Sequence, residues 1–325
     1  MRQVTLGESG PAVSAIGLGC MGMSALYGPR PAERQSVGVV HRALDLGIDL
    51  IDTSASYGDG HNEQIIGEAI HDRRDRVFLC TKFGIRRDNG PMRVDSSPDW
   101  ARKSCDDSLQ RLRVDYIDLF YLHRRNPDVP VADTIGAMAD LVAAGKVRHL
   151  GLSEVNARTL RQAHAVHPLA ALQTEYSLFS REVEAEILPA CRELGIALVA
   201  YSPIGRAMLT GQITTGTAFS DDDLRSGNPR FAGANRAANL ALVDRLRALA
   251  GEMGVTPAQL ALAWLLAQGA VPIPGTTKVH HLDDNAAATT VSLTTGQLQQ
   301  IADLIPASAV QGERLSAAAA RWVGK

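Results

Sequence analysis

The feature that most constrains this chain is an alternation of short apolar runs with longer amphipathic ones, sustained almost from end to end. Strand-like runs stand at residues 16–20, 48–52, 77–82, 116–123, 147–152, 170–174, 196–201 and 270–273. Helical periodicity fills most of the gaps, over residues 32–46, 63–71, 98–112, 131–144, 156–166, 182–194, 235–253, 256–268 and 281–288. Gly47, Gly145 and Gly195 stop helices, and Ser97-Pro98 is an N-cap followed by a first-turn proline. Several strands are continuous apolar runs, as expected where both sheet faces are covered by helices. Such alternation predicts an α/β fold. Eight units in 325 residues, with no low-complexity linker, predict one closed (β/α)8 TIM barrel domain over residues 1–325. A β-hairpin around Gly10-Pro11 precedes the barrel, and an extra helix and tail follow Thr294.

The structural alternative is an open, doubly wound sheet. Gly17, Gly19 and Gly22 match G-x-G-x-x-G literally. That fingerprint binds a dinucleotide only between a strand and a helix, and Pro29 and Pro31 interrupt any helix here.

Charge and composition narrow the function. Formal net charge is -2, and the apolar and charged fractions, 45% and 21%, are ordinary. No polybasic run suggests nucleic acid or an anionic membrane. Arg73, Arg74 and Arg76, interleaved with Asp72 and Asp75, read as a solvated helix end. Cys20, Cys80, Cys105 and Cys191 form no close-spaced pair, which predicts a reducing, cytoplasmic setting without structural zinc. The first residues lack the apolar stretch of a secretion signal.

Function in a barrel gathers where strands end. Three neighbouring strands end at Asp52 (with Tyr57 just beyond), Lys82 and His123. A tyrosine ordinarily titrates near pH ~10, too high for an efficient proton donor at neutrality. An adjacent ammonium lowers that value. Lys82 can serve so, with Asp52 holding it and His123 orienting a substrate oxygen. Each residue alone has a bland reading: ion-pair partner, loop anchor, buried histidine. Together they predict an acid–base centre suited to carbonyl reduction, with the hydride brought by a cofactor.

Asp52-Thr53-Ser54-Ala55-Ser56-Tyr57-Gly58, then Asn62-Glu63 and Gly67-Glu68-Ala69, resemble the D-T-A-x-x-Y-G…N-E…G-E-A block of the aldo-keto reductase family. Thr81-Lys82, Leu119-Phe120-Tyr121-Leu122-His123, Gly151-Leu152-Ser153, Gln173-Thr174-Glu175-Tyr176-Ser177, Ala200-Tyr201-Ser202-Pro203-Ile204-Gly205 and Ile273-Pro274-Gly275-Thr276 continue the match in order. The resemblance implies a barrel that binds NADPH without a Rossmann domain and reduces a small carbonyl substrate. It implies a catalytic tetrad of Asp52, Tyr57, Lys82 and His123, with Tyr57 as the acid. It further implies that Tyr201 stacks on the nicotinamide and that Ser153 and Gln173 hold its carboxamide. Ser202, Ile204 and Gly205 would line the pyrophosphate. Gly275, Thr276 and Lys278 would meet the 2′-phosphate, Asp284 and Asn285 would lie near adenine, and Gly19 and Met21 would border the cofactor.

Some positions depart from the family pattern. Glu154 stands where Asn is usual, His281 where an Arg often grips the 2′-phosphate, and Asp284 where Glu is usual. The long polar loop 203–234 is the segment that covers the cofactor in this family, and its composition suits ordering by ligand. Arg124 and Arg125 read as solvated or paired with Asp128, or alternatively as a lure for an anionic substrate. Rival functions are a Schiff-base enzyme using Lys82 as nucleophile and a non-catalytic nicotinamide-binding accessory subunit.

Overall fold

The protein is described by a computed structural model covering residues 1–8, 10–24, 26–86 and 92–324. Eight parallel strands form one sheet: β1 (Leu18–Gly19), β2 (Leu50–Asp52), β3 (Phe78–Phe83), β4 (Ile117–Leu122), β5 (Val147–Ser153), β6 (Leu169–Glu175), β7 (Ala197–Tyr201) and β8 (Val271–Pro272). Each pairs with its neighbour in chain order. The sheet then closes. Gly17 N–H donates to the Pro272 carbonyl (2.9 Å), Gly19 N–H to that of Pro274 (3.3 Å), and Gly19 bridges Gly275 in parallel. A Cβ on Gly19 would lie 2.7 Å from the Ile273 carbonyl oxygen, and one on Gly275 2.8 Å from that of Gly19. These two glycines are therefore required by the seam itself.

The helices are α1 (Glu33–Asp45), α2 (His61–Ile70), α3 (Pro98–Leu112), α4 (Val131–Ala143), α5 (Ala157–His164), α6 (Ile187–Glu193), α7 (Gly233–Glu252), α8 (Pro257–Ala267), α9 (Val279–Ala287) and α10 (Thr295–Leu304). Their starts follow local rules. Ser97, Asn156 and Thr256 each accept a backbone N–H from the first turn, and Thr256 with Gln259 forms a reciprocal capping box.

Two cores result. An outer one lies between strands and helices. An inner one fills the lumen with Leu50, Cys80, Leu119, Tyr121, Ala171, Val199 and Val271. Leu6 and Val13 belong to it too, from the hairpin Gln3–Thr5/Ala12–Ser14, so that hairpin plugs the end opposite the strand C-termini.

Three expectations need correction. The helix expected over 182–194 is instead a 3-10 turn, Glu182–Glu184, followed by α6. Pro189 has no N–H, and its ring excludes the carbonyl four residues back. Arg74 is not a solvated helix end. It donates to Asp118 (2.6 Å) and lies 4.2 Å from the centre of the Tyr116 ring. Arg125 donates to the Pro127 and Val129 carbonyls (both 3.3 Å) rather than to Asp128. In loop 203–234, Arg206, Asp223, Asn228, Arg230 and Phe231 are buried. A small hairpin, Ile85–Arg86/Arg93–Val94, follows β3 without a strand pattern to announce it, and the intervening residues 87–91 lie outside the described ones. Among the described residues, no helix is long and apolar enough to cross a membrane.

Candidate active site

Side chains alternate along a strand, so residues two places beyond a lumen-facing one face the same way. Leu50, Cys80, Tyr121, Ala171 and Val199 face the lumen. Two residues further on stand Asp52, Lys82, His123, Gln173 and Tyr201. One pattern thus aims five polar groups, from β2, β3, β4, β6 and β7, into the same end of the barrel.

At the β2–β4 side these groups touch. The fully buried Lys82 ammonium donates to the Asp52 carboxylate in a short contact, to the Thr53 carbonyl (2.8 Å) and to the Tyr57 hydroxyl (3.3 Å). Gln173 donates to the other Asp52 oxygen (2.7 Å). Burial opposes the charge of Lys82, but Asp52 and the Tyr57 phenol outweigh it, and its pKa ends above the ordinary value. For Tyr57 the expected lowering is corrected. Burial pushes its pKa up, and the downward pull of Lys82 does not offset this, so the phenol ends above its ordinary range. His123 is driven well below its usual range by burial, then by Arg124 and Lys82, so its imidazole is neutral. Its Nδ1 lies 3.2 Å from the Ser54 hydroxyl and 3.4 Å from that of Ser56, and its ring meets Tyr57 edge-on.

The loop carrying Tyr57 is fixed by the same motif residues that carry the resemblance. Thr53 N–H donates to the Cys80 carbonyl (2.9 Å) and Ala55 N–H to that of Lys82 (3.2 Å), extending the strand pairing past β2. Asn62 accepts from Thr53 (2.6 Å) and donates to Ser24 (2.7 Å) and the Cys20 carbonyl (2.9 Å). Buried Glu63 accepts from Thr81 (2.6 Å) and Arg111 (2.6 Å). At Gly67 a Cβ would sit 2.5 Å from the Leu112 carbonyl oxygen, so only glycine lets α2 approach the end of α3.

The β5–β7 side is built differently. Glu154, just past β5, has φ +55°, a strained conformation for a side-chain-bearing residue. Its carboxylate accepts from Tyr201 (2.8 Å), Thr174 (3.2 Å), the Glu175 N–H (3.0 Å) and both terminal nitrogens of Arg314 (3.0 and 2.7 Å). Burial pushes its pKa up, but Arg314 and the other donors prevail and lower it to about 2. Glu175 accepts from Ser180 (2.8 Å) and both terminal nitrogens of Arg206 (3.0 and 2.7 Å), with Arg314 at 3.6 Å and Arg230 at 3.8 Å. Neither Glu175 nor the arginines emerged as site residues from the sequence. The glutamate lies in a matched motif, but Arg314 comes from the tail, where no periodicity points inward.

The other sequence-predicted residues fall as follows. Ser153 is buried and accepts from Arg124 (3.0 Å), which also donates to the His123 carbonyl (2.6 Å). Met21 opens a 3-10 turn after β1. Ser202 and Gly205 follow β7 with φ of +49° and +57°, and Ile204 lies between them. Gly275, Thr276 and Lys278 lead into α9, with Gly275 and Lys278 exposed. Asp284 turns toward the start of α8, where Gln259 (2.8 Å) and Thr256 (3.1 Å) donate to it, while Asn285 is buried. His281 stays below its usual range through burial and the neighbouring His280 and Lys278, and adds no positive charge near neutrality.

Comparison with known proteins agrees with this architecture. The profile of the Aldo/keto reductase family matches residues 15–306. The chain is 42% identical over 318 residues to a probable aldo-keto reductase 1 of Glycine max, covering 97% of this chain and 92% of that protein. It is similar in structure to a glycerol dehydrogenase from Gluconobacter oxydans, with a TM-score of 0.86, 31% identity, and 93% and 94% of the two chains covered. It is also similar to an aldo/keto reductase from Klebsiella pneumoniae solved with NADP and acetate, with a TM-score of 0.74, 30% identity, and 97% and 99% covered. On the strength of this match over most of its length, the chain belongs to the aldo/keto reductase family of oxidoreductases.

Proposed function

We propose that this oxidoreductase reduces an aldehyde or ketone to an alcohol with NADPH, Tyr57 giving the proton. The observation that carries the reading is the reach of one buried ammonium, Lys82, to Asp52, Thr53 and Tyr57 at once. Tyr57 keeps its proton in the resting site, since burial pushes its pKa above the ordinary tyrosine range in spite of the pull of Lys82. As negative charge develops on the substrate oxygen, the phenol proton moves toward it. The ammonium 3.3 Å from the phenol oxygen then stabilises the phenolate left behind. Asp52 keeps that ammonium charged and in place. With Nδ1 accepting from Ser54 or Ser56, His123 carries its proton on Nε2 and offers it to the same oxygen.

The residues present fit a nicotinamide dinucleotide. Tyr201 offers a half-buried ring face at the end of β7. Ser153 ends β5 and Gln173 stands two residues before the end of β6, and both carry groups able to hydrogen-bond an amide. Exposed Lys278 stands at the start of α9, where its charge and the helix dipole both favour a phosphate. The NADP in the Klebsiella pneumoniae relative is consistent with this choice. Bound there, the cofactor supplies the hydride. A Schiff-base role for Lys82 is disfavoured, because an ammonium whose pKa is raised is a poor nucleophile. The Lys82–Tyr57 contact likewise favours turnover over a purely binding role.

The test is NADPH oxidation across a panel of aldehydes and ketones, with Tyr57→Phe as control. Loss of the acid should lower kcat by about 10²–10⁴-fold while NADPH affinity stays within about twofold. A Tyr57→Phe enzyme retaining more than about a tenth of the turnover would remove Tyr57 from the role.

A further inference from the structure

Tyr201 is tied to the rest of the mouth by its hydroxyl, which donates to Glu154 (2.8 Å). The position of that phenol therefore follows the position of the Glu154 carboxylate. Glu154 sits on a strained backbone at φ +55° and faces a second buried carboxylate, Glu175, whose own N–H it binds (3.0 Å). Two like charges this close need a cation to hold them. Arg206 is committed to Glu175 by both terminal nitrogens. The guanidinium that grips Glu154 is Arg314, 160 positions later in the chain, and it also lies 3.6 Å from Glu175.

Arg314 is itself anchored. Asn228 donates to its carbonyl (3.0 Å), and Arg230 donates to that of Gly312 (3.2 Å). Asn239 and Gln311 exchange two hydrogen bonds (2.9 Å each). Further on, Gly324 N–H donates to the Glu154 carbonyl (2.8 Å). The segment from Gln311 to Gly324 thus runs as a strap between the loop after β7 and the turn after β5, and Arg314 is its inward-pointing side chain.

We propose that Arg314 is a positioning residue for the nicotinamide cofactor, fixing the Glu154 carboxylate and through it the Tyr201 ring on which the cofactor lies. This rests on the reading of Tyr201 as the cofactor platform. Arg314 touches neither Lys82 nor Tyr57 in the hydrogen-bond network, so its effect belongs to cofactor binding rather than to proton transfer. The strap thereby makes cofactor affinity depend on a part of the chain remote from every cofactor-binding motif.

The experiment is a fluorescence titration of the full-length enzyme with NADPH, alongside steady-state kinetics. Arg314→Met should weaken NADPH binding about tenfold or more, within the usual range of coupling between separated sites. Its kcat at saturating NADPH should fall less than about threefold, and Arg314→Lys should recover part of the binding. The decisive arm is a double-mutant cycle. In a Tyr201→Phe background, which lacks the hydroxyl tether, Arg314→Met should cost less than about a third of what it costs alone. Unchanged NADPH affinity in Arg314→Met, or full additivity with Tyr201→Phe, overturns the proposal. Should Arg314→Met not fold, Glu154→Gln decides the matter, since it keeps the side-chain size but loses the ion pair. It should weaken NADPH binding in the same direction, and an unchanged affinity again overturns the proposal. A wild-type enzyme that does not bind NADPH at all would instead fail the cofactor reading itself.

Discussion

On one side of the barrel mouth a carboxylate and an ammonium, Asp52 and Lys82, meet from adjacent strands. On the other, Glu154 and Glu175 are matched by Arg206, Arg230 and Arg314, none of which lies on a strand. Both arrangements solve the same problem, since a buried charge is tolerated only when paired and hydrogen-bonded. They solve it at different distances along the chain. In the first, register and the two-residue alternation of side chains suffice to bring the partners together. In the second, the partners arrive from a loop and a tail that must first be folded onto the barrel. The first is suited to chemistry that needs fixed atoms. The second ties the β5–β7 side of the mouth to segments that pack over it.

Breaking the strand-built pair should have the largest effect. Lys82→Met leaves Asp52 buried without its cation and, in the proposed mechanism, Tyr57 without the charge that stabilises its phenolate. We expect turnover to fall by about 10²–10⁴-fold. We also expect stability to fall by about 3–5 kcal/mol, the usual cost of an orphaned buried charge. Steady-state kinetics and chemical denaturation measure the two separately. A variant that keeps wild-type turnover would show that the ammonium plays no part in proton transfer.

The same contrast explains what was legible in the sequence. Asp52, Lys82 and His123 were readable because strand ends follow from apolar runs, and a barrel gathers strand ends at one mouth. Asn62 and Glu63 were visible as motif letters, but their work, bracing the Tyr57 loop through Thr53, Thr81 and Arg111, needed coordinates. Arg314 was invisible, because nothing local distinguishes it from a surface arginine. Glu154 was noticed as a departure from the family's usual Asn, yet its partners are long-range. The direction of the Tyr57 pKa shift is not legible for a related reason: the motif implies the ammonium, but not the desolvation that outweighs it. In loop 203–234 the composition alone did not show which polar side chains are buried. Polar residues there are buried because they pair with one another and with β6, a property that composition does not carry.

The arginine-built side can be sharpened by pH. The carboxyl of Glu154 titrates at about 2 in the fold against an ordinary 4.5. A depressed value means stability that is fully present above the ordinary carboxyl range and lost as pH falls from about 4.5 toward about 2. The difference corresponds to about 3 kcal/mol. Denaturation at pH values across this window should therefore show a steep loss in the wild type. In Arg314→Met the acid-dependent loss should be shallower, because much of the depression is already gone at neutral pH. Equal slopes in the two proteins would mean that Arg314 is not what holds the carboxylate ionised.

The smallest expected effect bears most directly on the contrast between the two sides. Arg206 makes the two short contacts to Glu175, so by the logic of Lys82 its removal should be as costly. Glu175, however, keeps the Ser180 hydroxyl at 2.8 Å, with Arg314 at 3.6 Å and Arg230 at 3.8 Å ready to close in. Asp52 has Lys82 as the cation in contact with it and Gln173 as a neutral donor. Arg206→Met should therefore cost only about 1–3 kcal/mol, less than Lys82→Met in the same denaturation experiment. Its kcat at saturating NADPH should stay within about threefold of wild type, because no atom of the Lys82–Tyr57 pair loses a partner. If the two substitutions prove equally destabilising, the three arginines do not substitute for one another. The second side would then be as brittle as the first, merely assembled from farther away.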